Sequence, residues 1–106
     1  MKKVYVVNES SHDFSDTERF GKLIFLSKGP LRKFDVNHMS RIFVKAMKDS
    51  EAGDYIVPCS LNAMNVIVAG IFASKHHRLN LLLFNPFQSR YLERIILFPE
   101  HSKDGK

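Results

Sequence analysis

The run Asp54 to Ser74, DYIVPCSLNAMNVIVAGIFAS, constrains this chain more than any other feature, because so long an apolar stretch has to be hidden somewhere. As one continuous helix it would approach the length of a membrane span. Pro58 argues against that, since proline breaks helical geometry and disfavours a helical conformation at Val57. Ser60, Asn62 and Asn65 would also be poorly placed in lipid. The run therefore reads as a strand, DYIVPC, a turn, and a helix, LNAMNVIVAGIFASKHHR, with Ser60 as its N-cap. Leu61, Met64, Val66, Ile67, Val68, Ile71 and Phe72 encircle that helix, which predicts deep coverage, with Ala63, Ala69, Gly70 and Ala73 allowing close approach of neighbours. Lys75, His76, His77 and Arg78 complement the dipole at its C-terminal end.

The other elements arrange themselves around this unit. KVYVVN reads as a first strand, and KLIFLS as a second whose unbroken apolar run predicts burial on both faces. Between them SDTERFG carries a capping-box pattern, Ser15 to Glu18, with Gly21 as terminator. DVNHMSRIFVKAMKDS is an amphipathic helix capped by Asp35, with Val36, Met39, Ile42, Phe43, Ala46 and Met47 on one face. LNLLLFN and YLERIILF are two strands joined through PFQSR, a hairpin spacing. The fold class expected is α/β: a single-domain, mostly parallel sheet with helices on its faces and a C-terminal antiparallel hairpin strand. The alternative is an α+β sandwich in which the first two strands pair directly, since their connection is short for a helical crossover. Residues 1–98 form the expected domain and 99–106 a flexible polar tail.

At 106 residues the chain has room for one core without metal or disulfide staples. Its 44% hydrophobic and 25% charged content excludes general disorder, and the single Cys59 excludes an intramolecular disulfide framework. The apolar stretch after the two N-terminal lysines is too short for a signal peptide. A cytoplasmic protein is expected, with no membrane span and no cofactor.

Parallel α/β sheets bind ligands beyond the C-terminal ends of their strands. That rule selects NESSHD, SKGPLRK and CSLN, which offer Asn8, Ser10, Ser11, His12, Asp13, Ser27, Lys28, Arg32, Ser60 and Asn62. Two of these segments also open helices, whose free amides suit an anion. The expected ligand is an anionic small molecule of nucleotide-like chemistry. Lys28 and Arg32 would neutralise its charge, Ser10, Ser11, Ser60 and Asn62 would supply hydrogen bonds, and His12 belongs to the same ligand-binding set. Turn and cap chemistry alone would also select these residue types.

Enzyme signatures are missing. FLSKGPL lacks the spacing of a phosphate-cradling loop, no G-x-G-x-x-G follows the first strand, and no G-x-S-x-G occurs. A phosphatase-type Cys59 would need Arg six positions on, where Asn65 stands. His12 beside Asp13 would suit acid–base chemistry, but adjacency in sequence does not put the two on one proton path. His76 and His77 diverge on a helix and make a poor metal pair.

Two interaction surfaces compete with the strand ends. Arg41, Lys45 and Lys48, at spacings of four and three, give a basic strip that a net charge of +5 makes attractive to RNA or DNA, although a solvated helix face explains it too. LFNPFQSRYLER puts Phe87, Arg90 and Tyr91 in or beside a hairpin loop, suited to a host protein, and leaves a strand edge open to homodimerisation.

YVVNESSHDFSDTERFGKLIFLSKG and KHHRLNLLLFNPFQSRYLERIILF resemble small proteins encoded by tailed bacteriophages. The resemblance implies expression in a bacterial cytoplasm and an accessory role, binding a host component or a signalling molecule. It brings no functional residues with it.

Overall fold

Val4, Tyr5, Val6 and Val7 are all sealed from solvent, so side chains on both faces of the first strand are covered and that strand must be interior. The computed structural model describes residues 1–9, 12–29, 34–59 and 62–99. Strand β1 (Lys3–Val6) is followed by a 3₁₀ segment (Ser15–Arg19), β2 (Lys22–Phe25), α1 (Val36–Ala46), β3 (Tyr55–Val57), α2 (Asn62–His76), β4 (Arg78–Asn85) and β5 (Arg90–Leu97). The five-stranded sheet has the order β2-β1-β3-β4-β5. The first four strands are parallel, with Val4 opposite both Leu23 and Tyr55, and β5 returns antiparallel to β4. This is the expected α/β fold with its antiparallel hairpin strand.

Alternation along the strands divides the core in two. On the helical face, Tyr5, Val7, Ile56 and Leu79 meet Met39 and Phe43 of α1, Met47 at its end, and Met64, Val68 and Phe72 of α2. On the opposite face, Val4, Val6, Tyr55, Val57, Leu82 and Tyr91 pack with Phe14 and Phe20, which flank the 3₁₀ segment, and with Leu23 of β2. Each large apolar side chain buried this way contributes about 1.5–3 kcal/mol. Asp35 caps α1 as its sequence position predicts, accepting from the His38 backbone N–H at 3.2 Å.

A polar network closes the N-terminal end of the strands. Buried Asp54 accepts from the Lys3 N–H at 2.9 Å, the Glu51 N–H at 2.8 Å and Lys3 Nζ at 3.4 Å. Burial opposes the Lys3 charge, but Asp54 and Glu51 outweigh it and raise the lysine's pKa. Buried Asn80 donates to the carbonyls of Ala52 and Asp54, both at 2.7 Å, and accepts from Arg78 Nε. His76 Nε2 lies 2.9 Å from Ser50 Oγ, and burial holds its pKa below the ordinary histidine value, with Lys75 adding to the effect.

Four expectations need correction. Strand β2 is an edge strand with Lys22 and Phe25 exposed, because it stands at the end of the strand order and, among the described residues, pairs with β1 alone. Helix α2 is not deeply covered. It has α1 on one side and the sheet beneath, so only Met64, Val68 and Phe72 are buried while Val66 is 70% exposed. A methyl group on Gly70 would meet nothing within 4 Å among the described residues, so Gly70 serves no close approach there. Ser15 is not a helix cap. It lies inside the 3₁₀ segment, and its N–H donates to Asp13 Oδ1 at 2.9 Å. The Ser60 cap and residues 100–106 of the tail lie outside the described residues.

Candidate functional site

The chain crosses from β1 to β2 in one direction and from β2 to β3 in the other, so the C-terminal ends of β1 and β3 border the switch point of the sheet. A cleft of about 610 Å³ opens there, on the face carrying the 3₁₀ segment. Asn8 leads into it from β1, and Pro58 and Cys59 from β3. The segment from His12 to Asp16 forms one wall. Leu82, Phe84 and Tyr91 of the hairpin form the other, with Ser89 and Leu83 completing it.

Local sequence explains how these walls are held. The Asn65 amide, in the first turns of α2, accepts from the Cys59 N–H at 2.9 Å and donates to its carbonyl at 2.7 Å. The position where a phosphatase loop would need Arg is thus committed to fixing the β3–α2 turn. Across the cleft, Asp16 Oδ2 accepts from the Tyr91 backbone N–H at 2.7 Å, and Arg19 Nη2 donates to the Tyr91 carbonyl at 2.5 Å. Arg19 also pairs with Asp16 at 3.2 Å. These contacts clip the 3₁₀ segment to β5 and join the two walls at their base.

Charge in the cleft is negative. The Tyr91 N–H, then Arg19, holds the Asp16 carboxyl below its ordinary pKa, and the Ser15 N–H does the same for Asp13. Both are therefore carboxylates at neutral pH, and no lysine or arginine stands among the described lining residues. Phe84 and Tyr91 meet edge to face at 5.3 Å, and the His12 ring lies 6.4 Å from Phe14. Asn8 Nδ2 donates to the Gly29 carbonyl at 3.3 Å, while its Oδ1 is buried with no hydrogen-bond partner among the described residues. Tyr91 is buried, and burial raises its phenol pKa.

Of the strand-end residues selected from sequence, Asn8, His12 and Asp13 line the cleft. His12 and Asp13 turn to different partners, the Phe14 ring and the Ser15 N–H. Lys28 is not in the lining: its exposed side chain pairs with Glu9 at 3.6 Å, too long for a hydrogen bond. Asn62 is exposed at the start of α2. Ser10, Ser11, Arg32 and Ser60 lie outside the described residues. Arg41, Lys45 and Lys48 are all exposed, on α1 and the turn after it. Phe87 is 97% exposed at the hairpin tip and Arg90 is exposed beside it. Tyr91, expected as an exposed partner contact, instead belongs to the second core and the cleft wall, because β5 curls back against the 3₁₀ segment. Sequence reasoning missed Phe14, Asp16 and Phe84. Phe14 and Phe84 were legible only as apolar residues of their segments, and Asp16 looked like helix-start chemistry.

Among the described residues no group of three or more His, Cys, Asp and Glu is placed to hold a metal ion, and no helix is long and apolar enough to cross a membrane.

The strand order and the cleft at its switch point define a small α/β protein with a crevice at the strand ends. A family model described as phage Pam3 gp32-like protein matches residues 2–96, and the chain belongs to that family. The resemblance to small phage proteins read from the sequence is thereby shown. No curated protein and no solved structure matches the chain.

Proposed function

We propose that this chain is a non-enzymatic binding protein of the bacterial host cytoplasm, and that its ligand is a small nucleoside-like molecule seated in the switch-point cleft. The observation that carries the reading is the lining itself. Phe14, Phe84 and Tyr91 offer faces and edges for a flat ring, and the exposed Asp13 carboxylate offers an acceptor for amino or hydroxyl donors. Asp13 repels a bare anion, the Asp16 charge being paired with Arg19, so the anionic ligand expected from sequence narrows to one whose ring enters the cleft and whose phosphate, where it has one, stays outside.

A ligand that binds only the folded chain raises its melting temperature. The test is a thermal-shift series with nucleosides, mono-, di- and cyclic nucleotides and inorganic phosphate, followed by calorimetry. A shift with a nucleoside or nucleotide, absent with phosphate and lost in both Phe84→Ala and Asp13→Asn, supports the reading. A shift with phosphate alone, or none with any ring-bearing compound, defeats it.

A further inference from the structure

The two edges of the sheet differ in what they leave exposed. On β5 the Phe98 N–H bonds the His77 carbonyl at 2.9 Å, so the alternation of an antiparallel ladder turns the even-numbered β5 residues toward β4. The odd-numbered residues then direct their N–H and C=O groups outward, as the clip on Tyr91 shows directly. Beyond Tyr91 the outward groups belong to Glu93, Ile95 and Leu97, all exposed residues, with Leu97 at 71%. Among the described residues their one side-chain partner on this edge is the Arg94 guanidinium, which donates to the Glu93 carbonyl at 2.7 Å.

We propose that the β5 edge from Glu93 to Leu97 docks an extended segment of another protein, which adds a sixth strand and alternates acidic with apolar side chains. Donors and acceptors alternating along an edge are matched by another strand. Charge selects its composition. The Glu93 carboxylate keeps its charge but lies on the other face of β5, where it accepts from the Tyr55 hydroxyl at 2.6 Å, so the charges on the even-numbered face are those of Arg90 and Arg94. They share that face with Leu92 and Ile96, while the other face ends in exposed Ile95 and Leu97, so a strand that turns acidic side chains to the first and apolar ones to the second matches both. The strand's N–H would replace Arg94 at the Glu93 carbonyl and free that guanidinium for a carboxylate. A second copy fits less well. It brings another net +5, and the two-fold register that pairs Glu93 with Ile95 sets Arg94 directly against Arg94.

The probe is a blocked peptide of alternating valine and glutamate, titrated into ¹⁵N-labelled protein by NMR, with a valine–lysine peptide as control. The acidic peptide is expected to shift the Glu93, Ile95 and Leu97 amides and slow their hydrogen exchange, with binding weakened by salt. Ile95→Pro, which removes an outward N–H and leaves the β4 ladder intact, should abolish this with the rest of the spectrum preserved. Arg94→Glu should transfer the preference to the lysine peptide. Absence of protection with millimolar acidic peptide overturns the proposal. So does protection of the same amides without peptide that grows with protein concentration, which would make the edge a homodimer interface.

Discussion

At the N-terminal end of the parallel strands, Asp54 accepts three hydrogen bonds, Asn80 takes part in three more, and each bond ends on a group of this chain. At the C-terminal end, Asn8 Oδ1 is buried without a partner among the described residues, and aromatic walls stand open around about 610 Å³. Both ends belong to the same strands, a few residues apart. The contrast separates two tasks. Polar groups at one end are satisfied internally and hold β1, β3 and β4 in place, while those at the other end are held in position with capacity to spare.

Breaking the closed end should cost most. Asp54→Ala leaves Lys3 and two backbone N–H groups without their acceptor and should lower unfolding free energy by about 3 kcal/mol in urea titration, near the lower bound for breaking a buried pair because Lys3 is partly exposed. A loss under about 1 kcal/mol would show that the network is not what holds the strands. Gly21→Ala comes next. Its Cβ would fall 2.4 Å from the Lys2 carbonyl oxygen, which accepts from the Lys22 N–H where β2 begins to pair with β1, and the forced backbone shift should cost about 1–3 kcal/mol.

Acid sharpens the comparison. Because the His76 pKa is lowered by burial, the unfolded chain binds the proton better, so the stability from neutral His76 is fully present above the ordinary value of 6.5 and is lost as pH falls through the lower folded value. The melting temperature should fall between pH 8 and pH 5, and the part of that fall due to His76 should disappear in His76→Gln. Base does the reverse at Tyr55, whose bond to Glu93 pushes its pKa up to about 12. Its contribution is complete below the ordinary value of 10.0 and is lost as pH rises toward about 12, and Glu93→Leu should bring the ultraviolet titration of Tyr55 back toward 10.0. Smallest in stability are the cleft variants. Asp13→Asn should leave the urea midpoint unchanged and Phe84→Ala, at 53% exposure, should cost about 1 kcal/mol, while both are expected to remove the proposed ligand binding.

The element order was readable because periodicity and punctuation agree: Asp35 caps where it should, Pro58 separates β3 from α2, and the PFQSR spacing makes a hairpin. Burial was less readable. The apolar runs of β2 and α2 suggested full coverage, but coverage depends on strand order and on the number of layers, which no local pattern encodes. Asn8, His12 and Asp13 were legible because the strand-end rule needs only parallel topology. Asp16 and Tyr91 were not, since their meeting depends on β5 curling toward the 3₁₀ segment. Asp54 and Asn80 stayed hidden for the same reason, with side-chain partners 26 to 51 residues away.

The clip between the walls also sets an order of events in time. Asp16 and Arg19 reach Tyr91 across 75 and 72 residues, so the loop they close spans most of the chain. Contacts of such separation carry a closure entropy that is repaid only when the rest of the sheet is assembled, and they slow folding. On the ribosome the wall containing His12 and Asp16 emerges early, and its counterpart arrives only once β5 has followed β1 to β4 out of the tunnel. A growing chain can pair β1, β2 and β3 well before it has a crevice, so the crevice belongs to the finished fold and marks its completion.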